Sequence, residues 1–316
     1  MLKNSAITQS LLRGLKMSET QKRLKGKNIL SRHPFWLGRY YITNIALYGL
    51  ATLIILSWNN VFSGISYWWL LSLVPLFLNR FFYIVAGSAV LSVAVLVVFW
   101  QEIPWHYLVL LPFAIYIGHL TAVFMHNAVH FNFNIRWLNP VLGELCALQQ
   151  LSAGFPVFRL IHNEHHSHSD DPERDPHPPK GYSFWEFVDQ SRVMIKNRLS
   201  AMYFKKWGTT AQSTRNWELQ NLLLIGSRFA KTLFLFALLG PKMFVLLFLP
   251  SYLANVFLFA AFNYFTHIEK PDGSTEVLNL DNNWYFQFCN KTLYGVFYHK
   301  NHHDRPKLFN PMLLKT

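Results

Sequence analysis

The stretch that decides the fold is residues 107–130, YLVLLPFAIYIGHLTAVFMHNAVH, an uncharged run that ends on two histidines four positions apart, His126 and His130. An uncharged segment of this length can cross a bilayer as a helix. Positions i and i+4 at its end share one helical face. A membrane span and a pair of imidazoles therefore belong to one element, and both patterns can be followed outward from it.

Upstream lie three more uncharged runs, at residues 41–58, 61–79 and 81–100. The run at 61–79 contains Pro75 and leaves only Asn79 and Arg80 to turn the chain, so a re-entrant segment is the alternative to a crossing there. Downstream, residues 222–239 and 243–265 are joined by Gly240-Pro241-Lys242 and read as a hairpin through the bilayer. Arg228 and Lys231 stand near the entry of its first limb, where long basic side chains can snorkel to the surface. The expected fold is all-α and polytopic, with about six membrane helices (four to six).

Composition agrees with a lipid environment. The 316 residues are 52% hydrophobic and 17% aromatic, with 14% charged against about 25% in an average soluble domain. The net charge of +13 comes with no recognisable nucleic-acid module, so no nucleic-acid partner is expected and the basicity is assigned to a membrane surface. Two cysteines, Cys146 and Cys289, offer neither a disulfide framework nor a C-x-x-C metal site.

Residues 1–40 carry nine Lys or Arg and one acid, Glu19, and lack the apolar core and cleavage site of a signal peptide. They read as a basic cytoplasmic arm that meets the headgroup layer at Phe35, Trp36, Tyr40 and Tyr41. With that arm inside, four crossings return the chain to the cytoplasm at His126, and the hairpin returns it to the same side at His267. The outside turns then hold Lys242 as their basic residue, in keeping with the positive-inside rule. Residues 41–316 form a single membrane domain, with 131–221 and 268–316 as its cytoplasmic cap. Within the cap, residues 185–207 mix aromatic and basic residues and suit a helix lying on the membrane surface or on the protein's own cap.

The imidazoles follow the same topology. H-x-x-H-H occurs twice, as His162, His165 and His166 and as His299, His302 and His303. With His126, His130 and His267 this makes nine, all at predicted span ends or in the cap. Nine neutral nitrogens exceed the needs of one ion of four to six ligands, so two metals are implied. Structural zinc sites close with four ligands and often use Cys, whereas this set leaves open positions, which favours iron with O2 as the exogenous ligand. A membrane metal transporter is the alternative of another class, but transporters place such ligands near the bilayer midplane. His119, two turns deeper in its span, reads as a structural residue or a support for the ligands.

Glu164 sits in H-N-E-H-H, which is not the H-E-x-x-H of zinc proteases. It and Asp175 are candidates to orient ligand imidazoles. Asp170 and Asp171 could do the same, with solvation in an acidic loop the expectation for at least two of the three aspartates. Arg159 and Lys300 are candidates for a substrate headgroup.

These histidine elements resemble the three histidine boxes of the integral-membrane fatty-acid desaturase and hydroxylase superfamily: His126 to His130 the first, the triplet at His162 the second, the triplet at His299 the third. The resemblance extends over about residues 119–306. Asn263 and His267 match the family's Asn-x-x-x-His element, which supplies one more ligand and a water-mediated Asn contact, and Asp175-Pro176-His177 is similar to the loop after the second box. The resemblance implies two iron ions, O2 as co-substrate and removal of hydrogen from an unactivated C–H bond of a fatty acid or acyl lipid. Desaturation is the leading outcome. Hydroxylation, and oxidative decarboxylation to a terminal alkene as in the decarboxylase branch, are left open by the spacing. Electrons are expected from a separate ferredoxin, rubredoxin or cytochrome, since His33-Pro34 lacks the glycines of a cytochrome motif. A bacterial inner membrane, with both termini and the metal site cytoplasmic, is the expected location.

Overall fold

A computed structural model describes residues 29–58, 73–78, 80–98, 101 and 105–314. Most of the basic arm and most of the apolar run 61–79 lie outside these residues, so neither is tested by the structure. The described chain is helical. α1 (Trp36–Trp58) and α2 (Phe81–Val98) precede α3 (Leu111–Val129), which is entered through a short 3-10 turn at Trp105–Leu110. The cap helices α4 (Leu138–Gln149), α5 (Phe155–Ser167) and α6 (Phe184–Trp207) follow. α7 (Ala211–Met243) and α8 (Leu249–Thr266) are the two limbs of the late apolar region, and α9 (Trp284–Thr292) and α10 (His299–Asp304) close the chain.

Three helical segments among the described residues are long and apolar enough to span a membrane: Trp36–Trp58, Trp105–Val129 and Ala211–Thr266. The third contains both limbs of the expected hairpin, because helical geometry is broken inside it at Gly240 (φ 73°, ψ 160°). That left-handed backbone is open to glycine at little cost, and Pro241 then restarts the helix. Phe81–Ala94 is a shorter apolar helix.

The all-α expectation holds, and the described chain adds one short extended element. After α8 the chain turns extended, and a small antiparallel hairpin pairs β1 (His267–Glu269) with β2 (Thr275–Val277). His267 (φ −113°, ψ 112°) therefore lies just off the helix end, not on a helical face shared with Asn263.

Boundaries follow from local chemistry. α6 starts at a capping box in which Ser183 and Glu186 satisfy each other's backbone donors, and α7 starts at Thr210, whose side chain accepts from the Ser213 N–H. Pro112 occupies the first turn of α3, where a missing N–H costs little, and Pro250 follows the π-helical turn Phe244–Phe248 that leads into α8. α1 packs along α7, while α3 packs between α8 and α4. Polar side chains bind the second group together: Asn255 donates to the Gly118 carbonyl at 2.9 Å, and Gln149 joins Thr121 to Ser251. Such bonds are a main source of helix association where lipid removes the hydrophobic driving force. Leu47, Leu50, Leu53, Val90, Val93 and Val97 stay exposed on α1 and α2, as a lipid-facing surface requires.

The approach of α3 to α8 depends on Gly118, where an added Cβ would come within 2.1 Å of the Ser251 carbonyl oxygen. Gly118→Val should separate the two helices that carry His126 and lead to His267, costing about 1–3 kcal/mol. The checks are a lowered thermal midpoint in detergent and a smaller monodisperse fraction; wild-type values for both would contradict this packing.

Candidate metal centre

The nine histidines converge, but not box by box. His126, His130, His162, His166 and His302 form one cluster, and His165, His267, His299 and His303 another, with the candidate ligand atoms of each cluster within 4.8 Å of one another. Each H-x-x-H-H is thus split. α5 sends His162 and His166 to the first cluster and His165 to the second; α10 sends His302 to the first and His299 and His303 to the second. Successive residues advance about 100° around a helix, so His165 and His166 diverge by that angle and face two centres. The clusters adjoin, with the rings of His166 and His303 stacked at 4.4 Å between centroids.

Donor geometry fits metal ions. Nε2 atoms approach at 2.8 Å between His130 and His162, 3.0 Å between His166 and His162, 2.9 Å between His302 and His166, 2.9 Å between His299 and His267, and 3.1 Å between His303 and His299. Nitrogens about 2.1 Å from one ion and at right angles to each other lie roughly 3 Å apart. Imidazoles alone cannot satisfy this crowd, since a neutral ring has one donor and one acceptor. Nε2 of His126 and of His165 are buried with no hydrogen-bond partner. Unpaired buried nitrogens are costly, and a cation in each cluster would remove that cost.

Burial holds His130, His162, His166, His299 and His302 well below the usual imidazole range, helped by repulsion among neighbouring rings; His303 is pushed down to about 2 for the same reasons. They are therefore neutral, the form that binds metal. Unfolded, they would protonate near pH 6.5. The unfolded chain then binds more protons than the folded one, so metal-free protein loses stability as pH falls below about 6.5. Thermal melts of metal-depleted protein should show a lower midpoint at pH 5.5 than at pH 7.5; equal midpoints would contradict the neutral assignment.

Two aspartates orient the second cluster. Asp175 accepts from His165 Nδ1 at 2.9 Å, and both oxygens of Asp170 lie 3.0 Å from His267 Nδ1. A proton held on Nδ1 leaves the Nε2 lone pair for the metal. Burial alone would raise the Asp175 carboxyl, but its hydrogen bonds with His165 and with the His177 N–H hold it well below the usual range. The loop is self-braced: Asp170, at φ 62°, donates its N–H to Asp175 at 2.7 Å, and the His177 N–H donates to Asp175 at 3.0 Å. Only Asp171 of the three loop aspartates serves the loop alone, capping Glu173 and Arg174, so the expectation that at least two would be solvated is corrected.

Other candidates fall elsewhere. Glu164 pairs with Arg198 of α6 and lies 3.5 Å from His168, so it ties α5 to α6 instead of orienting a ligand. Lys300 is exposed and pairs with Glu276 at 3.6 Å. Arg159 lies over the Phe131 ring at 4.5 Å, one residue beyond His130, and keeps its candidacy for a headgroup. Asn263 is buried and donates to the Phe259 carbonyl of its own helix. His119 bonds the Ile115 backbone and belongs to neither cluster. His177, which the sequence marks only through its Asp-Pro-His context, is buried with its ring 4.8 Å from that of His165.

Two cavities reach the centre. A narrow apolar cleft, with about 30 Å³ of space open to a water-sized sphere, is walled by Ala122, Val123, Leu258, Phe262 and Phe309 and reaches His126 and His302. A second cavity touches His267 and Asp170 beside Lys180 and Tyr182.

Membrane helices whose ends meet two short cap helices around two adjoining imidazole clusters, one beside an apolar cleft, define an integral-membrane protein with a candidate histidine metal site. The family model for fatty acid desaturases matches residues 102–313, two thirds of the chain, and the chain belongs to that family. It is accordingly an oxidoreductase of fatty-acid or acyl-lipid chains. Comparisons with curated proteins and with solved structures give no match.

Proposed function

We propose that this protein is a di-iron, O2-dependent oxidase that desaturates a fatty acid or acyl lipid. His126, His130, His162, His166 and His302 would hold one iron and His165, His267, His299 and His303 the other, with Asn263 as a water-mediated neighbour. Bound iron supplies O2 activation and the oxidising power to remove hydrogen from an unreactive methylene. The protein's contribution is placement. Asp175 and Asp170 keep His165 and His267 in the tautomer that presents Nε2. Leu258, Phe259 and Phe262 line an apolar slot that would lay a chain segment against the His126 and His302 side of the centre. The observation that carries this reading is that the apolar cleft reaches His126 and His302 of the five-histidine cluster.

Electrons would come from a separate ferredoxin, rubredoxin or cytochrome-type protein, with the centre at the cytoplasmic face of a bacterial inner membrane. The test is incubation of iron-loaded protein with labelled fatty acid or acyl lipid, reductant and O2, followed by separation of internal alkenes, alcohols and headspace 1-alkenes. An internal alkene is the expected product. Alcohol or 1-alkene as the sole product would replace desaturation by hydroxylation or decarboxylation. A preparation that binds one tight zinc and no iron would refute the di-iron assignment.

A further inference from the structure

A second cluster of charged groups lies away from the histidines, among α6, α7 and α8, and none of the chemistry above uses it. Arg192 of α6 donates to the Tyr252 hydroxyl and lies 5.8 Å from the centroid of its ring. Arg228 of α7 interacts with the same hydroxyl and with Arg192, and its guanidinium also donates to the Leu76 carbonyl at 3.0 Å. One turn further on the same face of α7 is Lys231, 1% exposed, whose ammonium has no hydrogen-bond partner. Tyr252 is fully buried and stands about four helical turns before His267.

Charge does not balance there. Among the described residues, no carboxylate lies within ion-pair distance of Arg192, Arg228 or Lys231. Asp189, one turn before Arg192, is paired with Arg80. Glu144, the acid that acts on Lys231, accepts the Tyr40 hydroxyl on both oxygens at 2.8 and 2.9 Å. A buried cation left without a paired counter-charge, as Lys231 is, is strongly destabilising, while Arg192 and Arg228 are partly exposed and open to a further partner. Two guanidiniums that converge on one uncharged phenol have donors to spare, and guanidiniums are suited to planar or tetrahedral oxyanions. The apolar residues beside Arg228 are exposed: Val74, Leu78 and Phe229 form a lipid-facing rim past which an alkyl chain can lie.

We propose that Arg192, Arg228 and Lys231 form a binding site for the oxyanion headgroup of a membrane amphiphile, separate from the metal centre. The headgroup neutralises the cluster while its chain lies against the apolar rim. Phosphate of an anionic phospholipid and carboxylate of a fatty acid share this chemistry.

The test is the thermal midpoint of delipidated full-length protein in neutral detergent, titrated in turn with phosphatidylglycerol, oleate, phosphatidylcholine and inorganic phosphate. A saturable rise with phosphatidylglycerol or oleate, and none with phosphatidylcholine or inorganic phosphate, is expected; which of the two acts identifies the source. Arg228→Gln and Lys231→Met should each weaken the response about tenfold, the loss of one charge-assisted hydrogen bond. Tyr252→Phe keeps the ring and frees both guanidiniums, so it should bind at least as well as wild type even if the cation variants fold poorly. The proposal is overturned if neither amphiphile raises the midpoint, if inorganic phosphate acts as strongly, or if the charge-removing variants respond like wild type.

Discussion

His302→Ala should remove one metal and leave the other. His302 belongs to the five-histidine cluster and bonds His166 at 2.9 Å, whereas its neighbours His299 and His303 in α10 serve the four-histidine cluster. On the proposed di-iron reading, iron should fall from two per chain towards one, and turnover should drop on the order of a thousandfold or more, because a metal centre contributes several kcal/mol of barrier lowering. The fold should survive: α10 is short, and the change removes a side chain whose packing is largely against other imidazoles. Metal analysis of the purified variant, beside turnover, decides the matter. Two irons with near wild-type turnover would place His302 outside the centre. Loss of both irons together would mean that the clusters cannot fill separately. Lys300→Ala, two residues away but exposed and paired with Glu276, should leave both quantities unchanged.

Asp175→Asn should lower turnover per bound metal by about 10–100-fold, the usual cost of disturbing a group that orients a metal-bound histidine. The asparagine amide keeps the size but replaces one acceptor by a donor, at a position that takes hydrogen bonds from His165 Nδ1, the Asp170 N–H and the His177 N–H. His165 then loses the hold on its Nδ1 proton. Because Asp170 is braced by Asp175, the hold on His267 should loosen as well. Spectroscopy of the iron-loaded variant should show a change at the four-histidine centre with the other unaltered. Glu164→Gln is the contrast: Glu164 pairs with Arg198 at the α5–α6 contact, so its loss should cost about 0–1 kcal/mol of stability and leave turnover per metal intact. If Glu164→Gln proved the more damaging of the two, the assignment of orienting groups would be wrong.

Much of this was legible in the residues. The spans at 107–125, 222–239 and 243–265 follow from apolar length, and the break between the last two from Gly240-Pro241, where the structure indeed leaves helical geometry. The nine histidines stood out by spacing, and all nine meet. Asp175 could be named as an orienting group because it sits a short loop from the second triplet. Asp170 could not be separated from Asp171 on that basis: both are acids in one loop, and only the left-handed backbone at Asp170 and the start of β1 bring its carboxylate to His267, 97 residues away. Glu164 misled for the opposite reason. Its position inside H-N-E-H-H put it beside the ligands in sequence, yet the helix turns it towards Arg198.

The sequence by itself determined the donor set, the apolar lengths and the family's chemistry, because residue type sets which atoms can bind a metal and which segments can enter lipid. Only the tertiary structure decided which histidines gather in each cluster. Along one helix the angle between His165 and His166 is set by the backbone, but which centre each one faces depends on how α3, α5, α10 and the start of β1 meet. That meeting is governed by the Gly118 approach of α3 to α8, the turn out of helix at His267 and the aspartate brace, contacts between residues far apart in the chain.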